Sequence, residues 1–205
     1  TKTDDISLKG SVDLSAKFAL DRTWRASFDL EQSSNRNYQR KFDLDTKEVL
    51  TSRALLEGFR SRNYTSLSTY KFQGLRSTDD RRKQPFVFPT LNYNFIGQAN
   101  TYGIRPEIDL AITSITRELG ADSRKVSLTS GIQMPFYSKL GEVYTLHTSL
   151  QTDLSFSSNL DKKIGNSSSV DYTEFRFVPQ IGLNWRYPLV RNAQSSAQII
   201  EPIIN

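Results

Sequence analysis

Apolar and polar residues alternate with a period of two in segment after segment of this chain. Between positions 23 and 31, the apolar members of the alternation are Trp24, Ala26, Phe28 and Leu30. A period of two places every second side chain on the same side of an extended strand, whereas a helix has a period near 3.6. The pattern therefore predicts β-strands that have one apolar face and one polar face.

The same alternation continues in four longer segments. They cover residues 104–113, 125–136, 143–157 and 175–189. Weaker stripes lie at residues 6–19, 64–75, 87–95 and 197–204. Residues 46–60 are rich in helix formers, but Leu50, Ala54 and Leu56 fit a strand face, so we predict a strand there. The chain is predicted to be all-β, with roughly nine or ten strands.

Strand length distinguishes two folds that use such stripes. Strands of a soluble sandwich are most often about 5–6 residues long, whereas a transmembrane β-strand needs about 9–11. The four clear segments are 10 to 15 residues long. We therefore predict an antiparallel meander that forms part of a large transmembrane outer-membrane β-barrel. A soluble extracellular sandwich remains the alternative fold.

Composition removes several other classes of protein. The 205 residues include no cysteine and one histidine, which leaves no thiol nucleophile and argues against a zinc site. Lys and Arg number 27 against 22 Asp and Glu, a net charge of +5 that is too small to indicate a nucleic-acid partner. No apolar run approaches the roughly 20 residues of a membrane-spanning helix. We predict no cofactor, no metal and no enzymatic activity.

Polar clusters separate the predicted strands. Longer clusters lie at residues 32–40, 77–83, 118–124 and 160–169, and shorter ones at 20–22 and 138–141. Alternating long and short connections predict a meander with extended loops at one rim. Rings near the strand ends are expected to form aromatic girdles, and the candidates are Trp24, Tyr64, Tyr70, Tyr93, Phe136, Tyr144, Trp185 and Tyr187.

Several residues have an ordinary structural explanation beside a functional one. Prolines at 89, 106, 135 and 179 lie inside good strands, where they indicate bulges or strand ends more readily than soft points in the wall. His147 has no partner at the spacing of a catalytic triad, and Glu107 with Asp109 are ordinary neighbours on one strand face. The charged run 79–83 is predicted to be a solvated loop, with an anion contact as the alternative.

Short motifs follow one another along the chain in a recognisable order. They are Trp24-Arg25, Phe28-Asp29-Leu30, Ser33-Ser34, Tyr38, Phe88-Pro89-x-Leu91-x-Tyr93, Gly131-Ile132-x-Met134-Pro135, Val178-Pro179-Gln180 and Gln198-Ile199-Ile200-Glu201-Pro202. In this order they resemble the LptD family of lipopolysaccharide (LPS) assembly proteins over nearly the whole chain. The positions that carry the resemblance include Trp24, Pro89, Pro135, Pro179, Glu201 and Pro202.

The resemblance implies a location, a function and a set of partners. Residues 1–205 would be an interior part of the barrel domain, without the family's N-terminal jellyroll and closing strands. The expected function is LPS assembly at the surface of a Gram-negative outer membrane, with sugars in a polar lumen and acyl chains leaving through a lateral exit. The expected partners are LPS, an LptE-like plug lipoprotein, the periplasmic Lpt bridge that connects through the jellyroll, and outer-membrane lipids.

Within this resemblance, the inward charged and amide side chains would line the lumen. They would contact sugars and phosphates, or the plug, and the sequence leaves both roles open. The lumen-lining candidates are Arg105, Glu107, Asp109, Lys125, Gln151, Asp153, Arg176, Gln180, Asn184 and Arg186. A porin-like or autotransporter-like barrel, acting as a passive channel or anchor, is the alternative function.

Overall fold

Antiparallel strands make up most of the computed structural model, which describes residues 10–34, 47–76, 78–158, 171–193 and 196–205. The strands of these ranges are β1 (Ser11–Ala19), β2 (Trp24–Ser33), β3 (Val49–Arg60), β4 (Asn63–Gly74), β5 (Phe86–Ile96), β6 (Arg105–Thr116), β7 (Asp122–Tyr137), β8 (Val143–Ser158), β9 (Tyr172–Arg186), β10 (Leu189–Ala193), β11 (Ser196–Ile200) and β12 (Ile203–Ile204). A short 3-10 helix covers Arg81–Lys83. In these ranges, no helix has the length and hydrophobicity needed to cross a membrane.

The strands form one ten-stranded sheet in chain order. Each strand from β1 to β8 pairs antiparallel with the next, and β12 pairs with the end of β9. The strands β10 and β11 form a separate hairpin. The predicted all-β meander is thus confirmed, and the ambiguous segment 46–60 contains the strand β3.

Prolines shorten the strands predicted near the C-terminal end of the chain. The predicted stripe 175–189 ends at Arg186, because Pro188 lies in the connection to β10. The predicted strand 197–204 is divided into β11 and β12 by Glu201 and Pro202. A proline ring supplies no amide donor to a ladder, so a regular strand stops or shifts beside it.

Connections differ in length between the two rims of the sheet. One rim, the short-connection rim, has the links 20–23, 61–62, 97–104 and 138–142. The opposite, long-connection rim has the links 34–48, 75–85, 117–121 and 159–171, of which 35–46, residue 77 and 159–170 are outside the described ranges. The prediction of a long cluster at 118–124 was wrong, because Asp122 already pairs with Ser158 in the ladder.

Strand register separates the side chains into two faces. Residues directly opposite each other in neighbouring strands project to the same side of a sheet. Leu110 opposes Leu128, and Val126 opposes both Ile112 and Leu154. We call this side the apolar face, and it includes Leu14, Phe28, Leu56, Leu67, Leu91, Ile108, Leu110, Ile112, Val126, Leu128, Ile132, Met134, Leu146, Leu150, Leu154, Phe175, Phe177, Ile181 and Leu183.

Within the described ranges, no second protein layer packs on the apolar face. Leu50 and Leu75 are the only buried hydrophobic residues in the described part of the chain, whereas Ile181 is 79% exposed and Phe175 65%. Strands make extensive contacts only with their ladder neighbours. In a soluble sandwich, the inner faces of two sheets would bury these side chains against each other. The structure therefore excludes the sandwich and leaves an apolar surface that requires an apolar solvent.

The height of the apolar band matches that of an outer-membrane barrel. On β7, the apolar row runs from Val126 to Phe136 and is interrupted only by Ser130. These ten residue steps span about 33 Å along the strand, at about 3.3 Å each, and about 25 Å along the membrane normal at a strand tilt of about 40°. Outer-membrane barrels have an apolar band about 25 Å tall. Strand β9 repeats the ten-step row in register from Phe175 to Trp185, and the row of β8 runs from Tyr144 through Leu154 to Phe156.

Different side chains end the band at its two rims. Toward the long-connection rim, Arg124 and Asp122 follow Val126 on the same face. Toward the short-connection rim lie two aromatic rows, one with Trp24 and Tyr93 on β2 and β5, and one with Phe136, Tyr144 and Trp185 on β7 to β9. The girdle prediction was wrong for Tyr64 and Tyr70, because the apolar residue of β4 is Leu67 and the even-numbered residues of that strand project to the opposite side.

A tight turn before β2 fixes the position of Trp24 beside the short-connection rim. The Asp21 Oδ1 atom accepts hydrogen bonds from the backbone N–H groups of Thr23 and Trp24 at 2.6 and 2.7 Å, and from the Thr23 hydroxyl at 2.8 Å. These bonds, the one from the Thr23 backbone first, lower the pKa of Asp21. The indole ring covers Gly58 on the next strand, where an added Cβ would lie only 2.8 Å from the ring.

We expect an arginine to destabilise the wall according to its depth in the band. Ile132→Arg, in the middle of the β7 row, should lower the free energy of unfolding in lipid vesicles by about 2–4 kcal/mol, and Phe136→Arg at the end by about 0–1 kcal/mol. Gln133→Arg is the matched control, since residue 133 projects to the opposite face. Urea unfolding midpoints measure the three effects, and equal losses at 132 and 136 would contradict the membrane band.

The Asp21 turn should open only in strong acid. Because its pKa is lower in the folded chain, the stabilisation by Asp21 is complete above the ordinary value near 3.8 and is lost as the pH falls through the lower folded value. Trp24 fluorescence in a Trp185→Phe background should therefore be constant down to pH 3.8 and change below it. Asp21→Ala should give the opened-turn emission at every pH. A transition centred above pH 3.8 would oppose this assignment.

Candidate functional site

Register places all ten predicted lumen candidates on one side of the sheet, opposite the apolar face. We call this side the polar face. The candidates on it are Arg105, Glu107 and Asp109 of β6, Lys125 of β7, Gln151 and Asp153 of β8, and Arg176, Gln180, Asn184 and Arg186 of β9. Between them lie hydroxyl and amide residues such as Ser127, Thr129 and Ser149.

Four of the ten candidates form one cluster around Asp153, whose side chain is 5% exposed. Its Oδ1 atom accepts a hydrogen bond from the Ser127 hydroxyl at 2.5 Å, and its Oδ2 atom accepts one from Gln151 Nε2 at 3.1 Å. Arg176 donates to Oδ2 through Nε at 2.9 Å and also through Nη2. Lys125 Nζ lies 4.0 Å from Oδ1. The carboxylate therefore links β7, β8 and β9 on the polar face.

The cluster exposes cations while it hides its anion. The side chains of Lys125 and Arg176 are 47% and 55% exposed, whereas Asp153 is covered by its partners. A carboxylate with this many donors has its lone pairs engaged and is poorly suited to act as a general base. The arrangement can hold three strands together and offer N–H donors to a polar ligand.

The other candidates lie apart from this cluster. Asp109 Oδ1 accepts a hydrogen bond from Asn94 at 2.5 Å, and Gln180 accepts one from the Ser149 hydroxyl at 3.5 Å. Arg186 is 3.7 Å from Glu201. Asn184 donates to Asn205, Glu107 opposes Gly131, and the Arg105 Nε atom is buried without a hydrogen-bond partner. No group of three His, Cys, Asp or Glu side chains in the described ranges could hold a metal ion.

The sheet is a single-layer wall with one apolar face and one hydrophilic face, as in families of outer-membrane β-barrels. A comparison with models of known protein families matches residues 9–205 to LptD, LPS transport system D. The chain belongs to the LptD family. A search among curated proteins found no match.

Family membership identifies the larger structure to which the sheet belongs. LptD is a component of LPS transport and assembly in the outer membrane of Gram-negative bacteria. The ten-stranded sheet is therefore part of the wall of a transmembrane outer-membrane β-barrel.

The residues that suggested LptD have varied structural positions. Trp24 begins β2, and Pro135 lies near the end of β7. Pro89 lies in a bulge of β5, where Val87 and Thr90 oppose residues of β6 that are only two positions apart. Pro179 was predicted to lie at a bulge or strand end, but it is in the middle of β9, opposite Leu150.

The two final motif residues connect β9 with the end of the chain. Glu201 pairs with Arg186, and the Pro202 carbonyl accepts a hydrogen bond from the Tyr187 backbone N–H at 3.1 Å. These contacts dock β12 beside the end of β9. Tyr38 of the same motif series lies outside the described residues.

The ten predicted lumen candidates did not include the charged residues on the polar face of β2 and β3. Arg25 opposes Glu57, and Asp29 opposes Arg53. The signal was present, since a strand whose apolar side carries Leu50, Ala54 and Leu56 must place Arg53 and Glu57 on the other side. The polar face of this LptD wall is thus hydrophilic well beyond the ten predicted positions.

Removing the Asp153 carboxylate should weaken the wall at β7–β9. Asp153→Ala leaves Arg176 and Ser127 without their acceptor, so its urea midpoint in lipid vesicles should fall. Asp153→Asn retains an acceptor oxygen and should fall less. Glu174→Ala is the control, because Glu174 is an exposed acid on the same face of β9. Midpoints that are equal for Asp153→Ala and Glu174→Ala would contradict the linking role of the cluster.

Proposed function

We propose that the polar face of this sheet lines the lumen through which the sugar part of LPS crosses the outer membrane, while the apolar face contacts membrane lipid. The observation that carries the proposal is the separation of the two faces in a single layer. All ten candidates lie on one side, and the 25 Å apolar band occupies the other. An LptD wall with this geometry exposes hydrogen-bonding side chains to the water and to any molecule inside the barrel.

The chemistry of the polar face suits a sugar chain. On β5 to β9, its charged residues are four cations, Arg105, Lys125, Arg176 and Arg186, and four anions, Glu107, Asp109, Asp153 and Glu174. The balance creates no strong field of either sign, whereas the Ser, Thr, Asn and Gln side chains between them supply donors and acceptors. Sugar hydroxyl groups exchange hydrogen bonds with such residues at little net cost.

The acyl chains of LPS require a different route, since a polar lumen gives them no apolar surroundings. In this proposal they leave sideways into the membrane. Neighbouring strands from β5 to β9 are paired over nine or more residue positions, so a sideways exit among them would break many backbone hydrogen bonds. The exit therefore belongs to another part of the barrel.

The proposal includes the rest of the assembly. Further strands and a jellyroll would complete the LptD domain of which residues 1–205 are an interior part. LPS would arrive from the periplasmic bridge through that jellyroll, and an LptE-like lipoprotein would share the lumen as a plug. Contacts with this plug are a second use for the hydrogen-bonding groups of the polar face.

Site-specific photo-crosslinking tests the function. With p-benzoylphenylalanine at Gln151, full-length LptD should crosslink LPS while transport is energised, and the yield should fall when the supply of LPS is stopped. Leu150, the next residue and on the apolar face, is the matched control and should show no dependence on energised transport. A yield at 151 that is independent of LPS supply would favour a passive porin-like or autotransporter-like barrel.

A further inference from the structure

Four aromatic rings interrupt the hydrophilic character of the polar face, and all four lie on β3 and β4. We call Phe59, Tyr64, Tyr70 and Phe72 the aromatic strip. Phe59 opposes Tyr64, while Tyr70 opposes Arg53 and Phe72 opposes Thr51. From β5 to β9, the described polar face carries Phe, Tyr or Trp only at strand ends, at Tyr137 and Tyr172. The strip is thus a local feature of one hairpin.

The strip consists of two ring pairs, each with its own arginine. The Phe59 and Tyr64 rings are 5.1 Å apart, and the Arg25 guanidinium lies 5.3 Å from the Phe59 ring centre. The Tyr70 and Phe72 rings are 6.4 Å apart and within 8° of parallel. The Arg53 guanidinium lies 5.5 Å from the Tyr70 ring centre.

Stability alone explains only one of the two pairs. Phe59 and Tyr64 are a cross-strand pair beside the two-residue turn at 61–62, and such pairs stabilise hairpins. Tyr70 and Phe72 are on the same strand, so they join no second strand. Phe72 would also be more favourably placed on the apolar face, in lipid, than on the polar face.

Charged groups lie beside both ring pairs. The Tyr64 hydroxyl donates to Glu57 at 2.7 Å, which holds a carboxylate beside the first pair. The Arg53 Nε atom is buried and has no hydrogen-bond partner beside the second pair. A ligand that combines an apolar surface with hydroxyl groups fits rings that are flanked by the Glu57 carboxylate and by the guanidinium groups of Arg25 and Arg53.

Sugars have this combination of properties. A pyranose ring presents C–H groups on its two faces and hydroxyl groups at its edge, so it stacks on an aromatic ring while it hydrogen-bonds to arginine and carboxylate side chains. The step from Tyr64 to Tyr70 spans about 20 Å along β4, at about 3.3 Å per residue. Two ring pairs at this spacing follow the strand, as a linear chain passing through the barrel would.

We propose that the aromatic strip is a stacking track for the glycan of LPS, with one contact at Phe59 and Tyr64 and a second at Tyr70 and Phe72. The inference rests on the proposed function, because it requires the polar face to line the lumen. Stacking on C–H faces tolerates different sugars, since each pyranose offers such a face. The occupant is the glycan, and the plug lipoprotein is the competing occupant that the experiments separate.

Crosslinking within full-length LptD tests the track and separates it from the proposed function. We expect p-benzoylphenylalanine at Tyr70 to capture LPS about fivefold more than at Thr129, a polar-face position away from any ring. LPS capture at Gln151 and Thr129 with none at Tyr70 would overturn the track but leave the lumen proposal intact. Capture of LPS at none of the three positions would overturn both. Capture of the plug lipoprotein instead of LPS at Tyr70 would also overturn the track.

Variants that remove the rings give an independent measurement. The Tyr70→Leu, Phe72→Leu double variant retains apolar volume but loses stacking, and Tyr70→Phe retains the ring as its control. The double variant should reduce surface delivery of LPS with a long glycan about fivefold and leave LPS with a truncated glycan unchanged. Heat-modifiable gel mobility confirms that each barrel is folded. Equal delivery of the two LPS forms by a folded double variant would overturn the track.

Discussion

Backbone hydrogen bonding in a medium without water is the constraint on which the wall depends. Every amide and carbonyl that faces hydrocarbon must be paired within the protein, because an unpaired group there costs several kcal/mol. The ladder from β1 to β9 meets this requirement by long antiparallel pairing, which reaches sixteen residue pairs between β7 and β8. Once the backbone is satisfied in this way, the period-two alternation decides which solvent each side chain meets. The two faces of LptD follow from that single arrangement.

The polar face contains two regions with different properties. The Asp153 cluster joins three strands through one covered carboxylate, whereas the aromatic strip on β3 and β4 combines four rings with two neighbouring arginines. Polar side chains that hydrogen-bond to one another keep the wall rigid. Aromatic rings beside arginines can stack on a ligand. The two regions therefore divide the polar face into a structural part and a part suited to binding.

The alternation of residues was sufficient to predict the fold, because each face has a single solvent. It placed Leu128 and Leu183 on the apolar face and all ten lumen candidates opposite to it. The alternation did not predict the side of Tyr64 and Tyr70 correctly, because a tyrosine ring can lie on the apolar or the polar face of the wall. The position of Pro179 in the middle of β9 was not predicted either, because the sequence does not show which strand pairs with each edge of β9. The contacts of Asp153 depend on the register of β8 with its neighbours β7 and β9, which no single stretch of sequence contains.

The matched ends of the apolar band have a mechanical consequence. On β7, Arg124 lies beyond one end of the band, and the rings of Phe136, Tyr144 and Trp185 form the other end in register across β7, β8 and β9. Raising or lowering the barrel by one row would pull Val126 and its neighbours into water or push Arg124 into hydrocarbon. The vertical position of LptD in the bilayer is thereby fixed from both sides. A wall anchored at both ends of its apolar band resists vertical displacement in the membrane.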